Sequence, residues 1–530
     1  MGCRSGIAGR YCYAAPPQPD PGPMHTVSLS KGNLSPETAP GIVVEARGAS
    51  HSYALLMLAA VAAITAVRLV WLAVQPADLY PDEAQYWFWA TRPALGYYSK
   101  PPLIAWLIAL TTSIFGDGEF AIRLSAPLLH AVTAGFVYAI GARLYDRSVG
   151  FWAALAYITA PGVSLSAYVI STDAALLPCW AAALYAFIRA REAEGAIWWV
   201  AAGIFAGIGL LAKYAMIYWL VSAFGFVLLV PGERRHFRPL LGAAGIAGLL
   251  YLPNLWWNWS NGFVSYLHVR DNAGLSRGLM HPEAFIEFLG SQFAVAGPLL
   301  FAALLALLAR PRFLREPCPL LLAAFALPSL AMMLGLSWLS RAQPNWAAPA
   351  YISASVLVVG WMLAQGWRRW VAISVAVNIA LAAAAFGATD ALASAGIGLP
   401  AKYDPLRRLR GWRELGDEVS RLLASHPGLT LLADDRELLA ALIYYVRPHP
   451  FGAVEWNPIP GITDQFRLVN NIGDHRGEDF LAVTVHNLFD EMRPEFAELT
   501  QVTTIRAGTR TYAVSIARGY SGDGRRQRRR

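Results

Sequence analysis

The sequence predicts an all-α polytopic membrane protein that carries a small α/β domain near its C-terminus. Of its 530 residues, 56% are hydrophobic and only 15% are charged, a balance outside the range of ordinary soluble domains. The apolar residues form long runs that short cationic clusters separate. The net charge of +8 therefore indicates membrane topology and not nucleic-acid binding.

Residues 1–50 predict a disordered N-terminal extension, since they are rich in Pro, Gly and Ser and show no apolar periodicity. They do not form a signal peptide, because no charged start leads into an apolar run with a small-residue cleavage site. Met24 is a candidate for the true initiation residue. N-terminal sequencing would decide whether residues 1–23 are translated.

Residues 51–398 predict the membrane domain, because they contain eleven apolar runs of at least roughly 17 residues, enough for one span each. The predicted spans are 53–75, 120–142, 149–169, 173–190, 196–212, 214–230, 239–258, 290–309, 319–339, 346–366 and 370–394. The shorter run from Pro102 to Phe115 predicts an interfacial or re-entrant helix, since about 10 to 14 apolar residues rarely cross a bilayer.

The cationic clusters predict the orientation, because short loops rich in Lys and Arg stay in the cytoplasm. If the N-terminus is cytoplasmic, every cluster falls on the cytoplasmic side: Arg143 and Arg147; Arg189 and Arg191; Arg234, Arg235 and Arg238; Arg310, Arg312 and Arg315; Arg368 and Arg369. The remaining loops are then periplasmic, in the inner membrane of a bacterium.

An odd number of spans also places residues 399–518 outside, as a soluble periplasmic domain. Strand-like runs at Leu429 to Ala433 and Thr511 to Ile516, with a helix-like segment at Arg436 to Val446 between them, predict a small α/β domain. Residues 519–530 predict a basic disordered tail.

The first outer loop contains the adjacent carboxylates Asp82 and Glu83, directly after the first span. A carboxylate held there can accept a proton from an incoming hydroxyl or amine, or stabilise positive charge on a sugar ring. The alternative is a solvated acidic loop that ends the first helix. Spacing alone does not separate the two interpretations.

Lys100 follows Tyr98 and Ser99 and is held by Pro101 and Pro102 at the mouth of the short apolar helix. A lysine so placed is a candidate phosphate ligand. The alternative is a lysine that extends its ammonium to the interface at a helix start.

Further candidates on the outer face are weaker when taken one by one. Asp173 suits a helix N-cap, Lys213 suits an interfacial turn or a phosphate contact, and the lone His268 suits an ordinary hydrogen bond, a metal ligand or a proton carrier. Arg341 precedes a late span on the outer side, where the positive-inside tendency disfavours a cation, so it favours an anionic ligand.

These residues resemble the lipid-linked-sugar glycosyltransferases of the GT-C superfamily, specifically the bacterial branch of the dolichyl-phosphate-mannose protein mannosyltransferases, to which the lipid A aminoarabinose transferases belong. The resemblance covers about residues 53–366. Its motifs are Asp82-Glu83 followed by Gln85-Tyr86, then Tyr98-Ser99-Lys100-Pro101-Pro102, Asp173, the Lys213 turn and Asn345-Trp346.

The resemblance implies a GT-C fold and an inverting glycosyltransferase that takes a sugar from a polyprenyl-phosphate donor. The acceptor would be an envelope molecule: lipid A, core oligosaccharide, another glycan or protein. It implies Asp82 as the catalytic carboxylate with Glu83 beside it, and Lys100, Lys213 and Arg341 as donor-phosphate ligands. Asp173, Tyr98, His268 and Asn345 are further site residues by the same resemblance.

No cofactor is assigned from the sequence. In the aminoarabinose transferases a glutamate precedes the lysine and, with a histidine, holds zinc, whereas Ser99 has that position here. His268 is therefore not assigned as a metal ligand, and the sequence leaves a divalent metal open.

Two other functional classes remain open at this point. A transporter or flippase for a lipid-linked saccharide also needs a polar site at the interface, but transporters usually show internal repeats and charges near the bilayer midplane. A structural or sensory membrane protein would leave the first-loop motifs unexplained.

Overall fold

The structure is a computed structural model, and it describes residues 47–192, 195–274, 280–397, 404, 406–456, 461–486 and 488–522. The predicted disordered extension lies outside these residues, except that residues 47–50 form the first turn of a helix. The predicted basic tail also lies outside from residue 523 onward. Its first two residues, 519 and 520, belong to a strand, so the boundary at 518 is wrong.

Helices form most of the described chain. In chain order they are α1 (Arg47–Val74), α2 (Pro81–Ala90), α3 (Leu103–Phe115), α4 (Glu119–Arg123), α5 (Ser125–Leu144), α6 (Arg147–Thr159), α7 (Pro161–Tyr168), α8 (Thr172–Glu192), α9 (Ile197–Ala212), α10 (Ile217–Leu229), α11 (Phe237–Ser260), α12 (Val264–Ala273), α13 (Pro282–Ala296), α14 (Pro298–Leu308), α15 (Pro311–Leu314), α16 (Pro317–Leu339), α17 (Ala350–Ala364), α18 (Arg368–Ala382), α19 (Thr389–Ser394), α20 (Trp412–Ser425), α21 (Arg436–Tyr445), α22 (Gln465–Val469) and α23 (Phe489–Met492).

Six stretches of helix among the described residues are long and apolar enough to cross a membrane, or up to eight if each of two bent pairs is one span. The six are Ser52–Val74, Glu119–Leu144, Thr172–Glu192, Glu233–Ser260, Pro317–Leu339 and Arg368–Leu392. Three other predicted spans correspond to the shorter apolar helices Ile197–Ala212, Tyr214–Leu229 and Ala350–Ala364. The chain is thus a multi-pass membrane protein.

Two predicted spans are broken and not straight. The helix pair α6 and α7 bends by 56° at Ala160, and the pair α13 and α14 bends by 119° at Gly297. Gly297 has φ +94°, a conformation that favours glycine, and Pro298 begins the next helix. The prediction of one continuous span over 290–309 is wrong for this reason.

The small C-terminal α/β unit is present. Its five strands are β1 (Thr430–Ala433), β2 (Val454–Glu455), β3 (Phe480–Thr484), β4 (Phe496–Ala507) and β5 (Arg510–Tyr520). They form one sheet in the order β2-β1-β3-β5-β4, in which β2, β1 and β3 are parallel and β5 is antiparallel to both β3 and β4. The carboxyl ends of the three parallel strands therefore meet at one edge, and α21 follows β1 there.

The C-terminal unit and the first loop share one apolar core. Side chains of α2 and α3 are buried together with those of α20 and α21, and Trp87 packs edge-on against Tyr444 at 4.9 Å between ring centroids. Asp78, just before α2, accepts hydrogen bonds from the backbone N–H groups of Trp412 (2.8 Å) and Arg413 (3.3 Å). These contacts fix the carboxyl edge of the sheet against the first loop.

Candidate active site

Helix α2 begins at Pro81, and proline at this position loses no helical hydrogen bond and has a preset φ. Asp82 and Glu83 occupy its first turn, where the positive end of the helix dipole stabilises carboxylates. Because successive residues of a helix point in different directions, the two carboxylates face different surroundings.

Glu83 is fully buried and faces inward. Its carboxylate forms a bidentate ion pair with Arg123, with Oε2 2.7 Å from Nη2 and Oε1 2.9 Å from Nε. It also accepts the backbone N–H groups of Tyr80 and Ile170, each at 2.8 Å. Arg123 and the two backbone N–H groups thus satisfy both carboxylate oxygens, and no oxygen of Glu83 is accessible to a substrate.

Asp82 faces outward, and 41% of its side chain is exposed. Its Oδ1 accepts a hydrogen bond at 3.0 Å from Nη1 of Arg436, the first residue of α21, and the same nitrogen contacts Oε1 of Gln85. The candidate base is therefore paired with a cation from the C-terminal unit.

Lys100 lies at the end of a tight turn in which the backbone N–H of Tyr97 donates to the Lys100 carbonyl at 3.1 Å. The turn is pressed against α11, because a Cβ on Gly96 would come within 2.5 Å of the Trp257 ring, so only glycine fits. Ser265 adds a hydrogen bond to the Tyr97 carbonyl at 2.8 Å. This packing fixes the backbone that carries Lys100.

The Lys100 ammonium lies among four charged side chains. Burial lowers the pKa of Lys100, and Lys213 and Arg436 lower it further, whereas Asp82 and Asp173 raise it. Within the described part of the chain the Lys100 ammonium has no hydrogen bond or ion pair. It is thus a half-buried cation available to an anion.

Asp173, Lys213 and Asn345, three of the predicted site residues, are brought together. Lys213 Nζ lies 2.6 Å from Asp173 Oδ1, and Asn345 Nδ2 donates to Asp173 Oδ2 at 2.6 Å. The Asp173 side chain is only 4% exposed. Both oxygens hold a partner, so Asp173 orients the lysine and the amide.

Tyr98 and His268 form a second side of the site. Their rings pack edge-on with centroids 5.1 Å apart, and the Tyr98 backbone N–H donates to Gln465 Oε1 at 2.7 Å. Burial lowers the pKa of His268 to about 4, and Lys100 and Arg436 lower it further, so the imidazole is neutral at pH 7. Its Nε2 is hydrogen-bonded to Asn272 at 2.8 Å.

A carboxyl pair, Glu455 and Asp464, lies near Tyr98 at the sheet edge. Burial raises the pKa of the Tyr98 phenol, and Asp464 and Asp271 raise it further. Burial raises the pKa of Glu455 to about 10, with its hydrogen bond to Asp464 adding to the effect. Glu455 is therefore a neutral acid at pH 7.

Arg341, a predicted phosphate ligand, is exposed and makes no hydrogen bond or ion pair with any residue that the structure describes. The described ranges also contain no group of three His, Cys, Asp or Glu side chains that could hold a metal ion. The residues present, with Ser99 before Lys100, do not fit the zinc site of the aminoarabinose transferases.

Sequence reasoning missed two arginines. Arg123 was included in an apolar span, although an ionisable residue in such a run signals a buried partner. Arg436 was seen only as the start of a helix, and no local pattern connects it with Asp82, which is 354 positions away. Only the fold brings this pair together.

The site thus brings together the Lys100 ammonium, the partly exposed carboxylate of Asp82 and the ammonium of Lys213, which Asp173 holds in place. Such a group can hold a phosphate and accept a proton beside it. The fold and the site together indicate a class, membrane proteins with a site for an anionic group beside a carboxylate.

Comparison with known proteins identifies the family. The family model of dolichyl-phosphate-mannose-protein mannosyltransferases matches residues 99–257. The chain is 31% identical over 382 residues to the lipid A galacturonosyltransferase RgtD of Rhizobium johnstonii, covering 72% of this chain and 80% of that protein. It is 28% identical over 170 residues to an undecaprenyl phosphate-alpha-4-amino-4-deoxy-L-arabinose arabinosyl transferase of Pseudomonas fluorescens, covering 31% and 30% of the two chains.

Among solved structures, ArnT from Cupriavidus metallidurans bound to undecaprenyl phosphate has the same fold. It superimposes with a TM-score of 0.59 at 15% identity, covering 88% of this chain and 98% of that one. The chain belongs to the GT-C family of glycosyltransferases. Both relatives are named as transferases, so nothing favours the transporter or flippase interpretation.

Proposed function

We propose that this glycosyltransferase moves a sugar from a polyprenyl-phosphate donor to lipid A or the lipopolysaccharide core at the periplasmic face of the inner membrane. The observation that carries the proposal is the Lys100 ammonium, which has no hydrogen-bonding partner among the described residues and lies within electrostatic range of Asp82 and Lys213. The names of the relatives, which include lipid A and lipopolysaccharide core transferases, support this choice of acceptor.

In the proposed reaction an acceptor hydroxyl oxygen attacks the anomeric carbon as the bond from that carbon to the phosphate oxygen breaks. The electron pair of the broken bond leaves with the polyprenyl phosphate, and the hydroxyl proton passes to Asp82. Attack opposite the leaving group inverts the anomeric configuration. Lys100 and Lys213 stabilise the charge that grows on the phosphate.

Glu83 has a different role in this proposal from the one that the sequence suggested. Since its carboxylate is sealed by Arg123 and two backbone N–H groups, it acts as a positioning residue that fixes the start of α2 and so aims Asp82. Asp173 and Asn345 position Lys213, and Tyr98 and His268 form the wall beside Lys100. Arg341 would join the phosphate site only through contacts made with donor bound.

The proposed topology has eleven crossings, with residues 51–398 in the membrane and residues 399–518 in the periplasm. The alternating cationic clusters support it, as do the six long apolar helices, and the count of eleven also requires both bent pairs and three shorter apolar helices to cross. Reporter fusions after Asp82 and at residue 450 test it. Cytoplasmic signals from both would contradict the proposal, because the acceptor would then lie on the wrong side.

We propose a galacturonosyl or related uronosyl donor as the first sugar to test, on the strength of the relative RgtD. Purified full-length protein is incubated with polyprenyl-phosphate galacturonate and lipid A, and mass spectrometry detects both released polyprenyl phosphate and lipid A that is heavier by one hexuronosyl residue. Lys100→Ala is expected to stop both while the protein stays in the membrane. Full activity of this variant would remove the assignment.

A further inference from the structure

Arg436 occupies a position that the stability of its own helix does not explain. It is the first residue of α21, where the helix dipole disfavours a cation. Nη2 of Arg408 donates to both oxygens of the adjacent carboxylate, Glu437, at 2.6 and 2.7 Å, and Glu437 lies 3.9 Å from Arg436. The close partners of Arg436 are instead Asp82 and Gln85 on α2.

The ion pair between Arg436 and Asp82 is also poorly suited to a structural role. The two side chains are 35% and 41% exposed, and exposed pairs stabilise a fold little because water screens them. By contrast, the contact between the two units already rests on a shared apolar core. The pair faces the site, within electrostatic range of Lys100.

The proposed reaction changes the charge of the partner of Arg436. Asp82 becomes neutral when it takes the proton of the acceptor, and in the same step the departing phosphate gains a negative charge. The other carboxylate near Arg436, Glu437, is already bound by Arg408. Asp173 is bound by Lys213 and Asn345. A guanidinium left without its carboxylate is drawn to the nearest oxyanion, which it binds with two parallel N–H groups.

We propose that Arg436 exchanges partners during the reaction, leaving Asp82 for an oxyanion of the donor, and so completes the active site from the C-terminal unit. The inference rests on the proposed function. The oxyanion has two sources, the phosphate that leaves and the carboxylate of a uronosyl sugar. Because the new partner belongs to the donor, the exchange couples proton transfer to Asp82 with the presence of the donor.

The experiment compares Arg436→Gln, Arg436→Lys and the matched control Arg421→Gln in purified full-length protein. Arg421 lies on α20 of the same unit, is 71% exposed and pairs only with Glu418, so its change removes an equal charge away from the site. Release of polyprenyl phosphate is measured with polyprenyl-phosphate galacturonate and with polyprenyl-phosphate galactose, which lacks the sugar carboxylate. The thermal unfolding midpoint is recorded for each variant.

If the phosphate is the new partner, Arg436→Gln lowers kcat by about 10²-fold on both donors with little change in KM, because the contact forms only as the phosphate leaves. If the sugar carboxylate is the partner, the loss appears as a higher KM with the uronosyl donor alone. Arg436→Lys keeps part of the activity, since lysine retains the positive charge but lacks the two parallel N–H groups of the guanidinium. Arg421→Gln stays within about twofold of the native protein.

Kinetics of Arg436→Gln equal to those of Arg421→Gln on both donors would overturn the inference, as would faster turnover, which would mean that Arg436 only restrains Asp82. If Arg436→Gln unfolds, Arg436→Lys carries the same comparison. Absence of turnover by the native protein on either donor would instead overturn the proposed function.

Discussion

The two faces of helix α2 show how neighbouring residues of one type take different roles. On the inner face Glu83 is fully buried and its oxygens are satisfied by Arg123 and by backbone N–H groups. On the outer face Asp82 is partly exposed and holds one exchangeable arginine. A carboxylate is available for chemistry where its partners leave it a free surface, and it supports the fold where they do not.

The largest expected effect comes from the outer face. Asp82→Asn removes the proton acceptor and keeps the shape, so transfer should fall by about 10²- to 10⁴-fold. The unfolding midpoint should not change, because the side chain is partly exposed and its pair with Arg436 is screened. Initial rates and thermal unfolding in detergent measure both. Full activity of Asp82→Asn would contradict the role of Asp82 as the proton acceptor, and with it the difference between the two faces of α2.

The inner face should give the opposite result. Glu83→Gln leaves the buried Arg123 without its counter-charge, so the free energy of unfolding should fall by about 3–5 kcal/mol. The Glu83→Gln protein that folds should lose less activity per molecule than Asp82→Asn, because Glu83 acts only by positioning Asp82. The double variant Glu83→Gln with Arg123→Met removes the orphan charge and should recover part of the lost stability, as chemical unfolding would report. Failure of the double variant to recover any would contradict this account.

A pH titration sharpens the role of the site cation. Lys100 binds phosphate only when protonated, and burial together with Lys213 lowers the pKa of Lys100. The ammonium is protonated below that lowered pKa, so donor binding is complete there. Binding is lost as pH rises through this pKa, which lies below 10.5, the ordinary lysine value. KM for the donor should rise over this interval, and Lys100→Arg should shift the rise to higher pH. A flat profile in the native protein would exclude Lys100 as the ligand.

The smallest expected effect concerns the attachment of α2 to the C-terminal unit. The Tyr445 hydroxyl accepts the Leu79 backbone N–H at 2.7 Å and donates to Glu119 at 2.6 Å. Tyr445→Phe leaves both groups without this partner and should cost about 1–3 kcal/mol of unfolding free energy. Activity per folded molecule should be unchanged, and a rate loss without a stability loss would show that Tyr445 acts on the site.

The sequence allowed prediction of elements whose signal is local. The runs at Leu429 to Ala433 and Thr511 to Ile516 contain β1 and part of β5, and β1 is a short, almost continuously buried run in the interior of the sheet. The bend at Gly297 was missed, although a Gly-Pro pair inside an apolar run signals a break. The mean hydropathy of a whole span does not reveal such a pair, because the apolar residues on both sides dominate the average.

The site was predictable to the extent that its residues carry charge near a membrane. Asp173 and Lys213 were singled out on those grounds and lie in contact. What separates Asp82 from Glu83 is the partner of each, and both partners are arginines remote in sequence. Pairing across such separations depends on the tertiary fold, which periodicity and spacing do not encode.

The common core of the first loop and the C-terminal unit restricts how such enzymes are recombined. A transplant of residues 404–522 from a relative would place foreign side chains against Trp87 and Phe88, which pack on Tyr444 and Phe466. Exchange of substrate preference between relatives should therefore require moving α2 and the transplanted unit as one module.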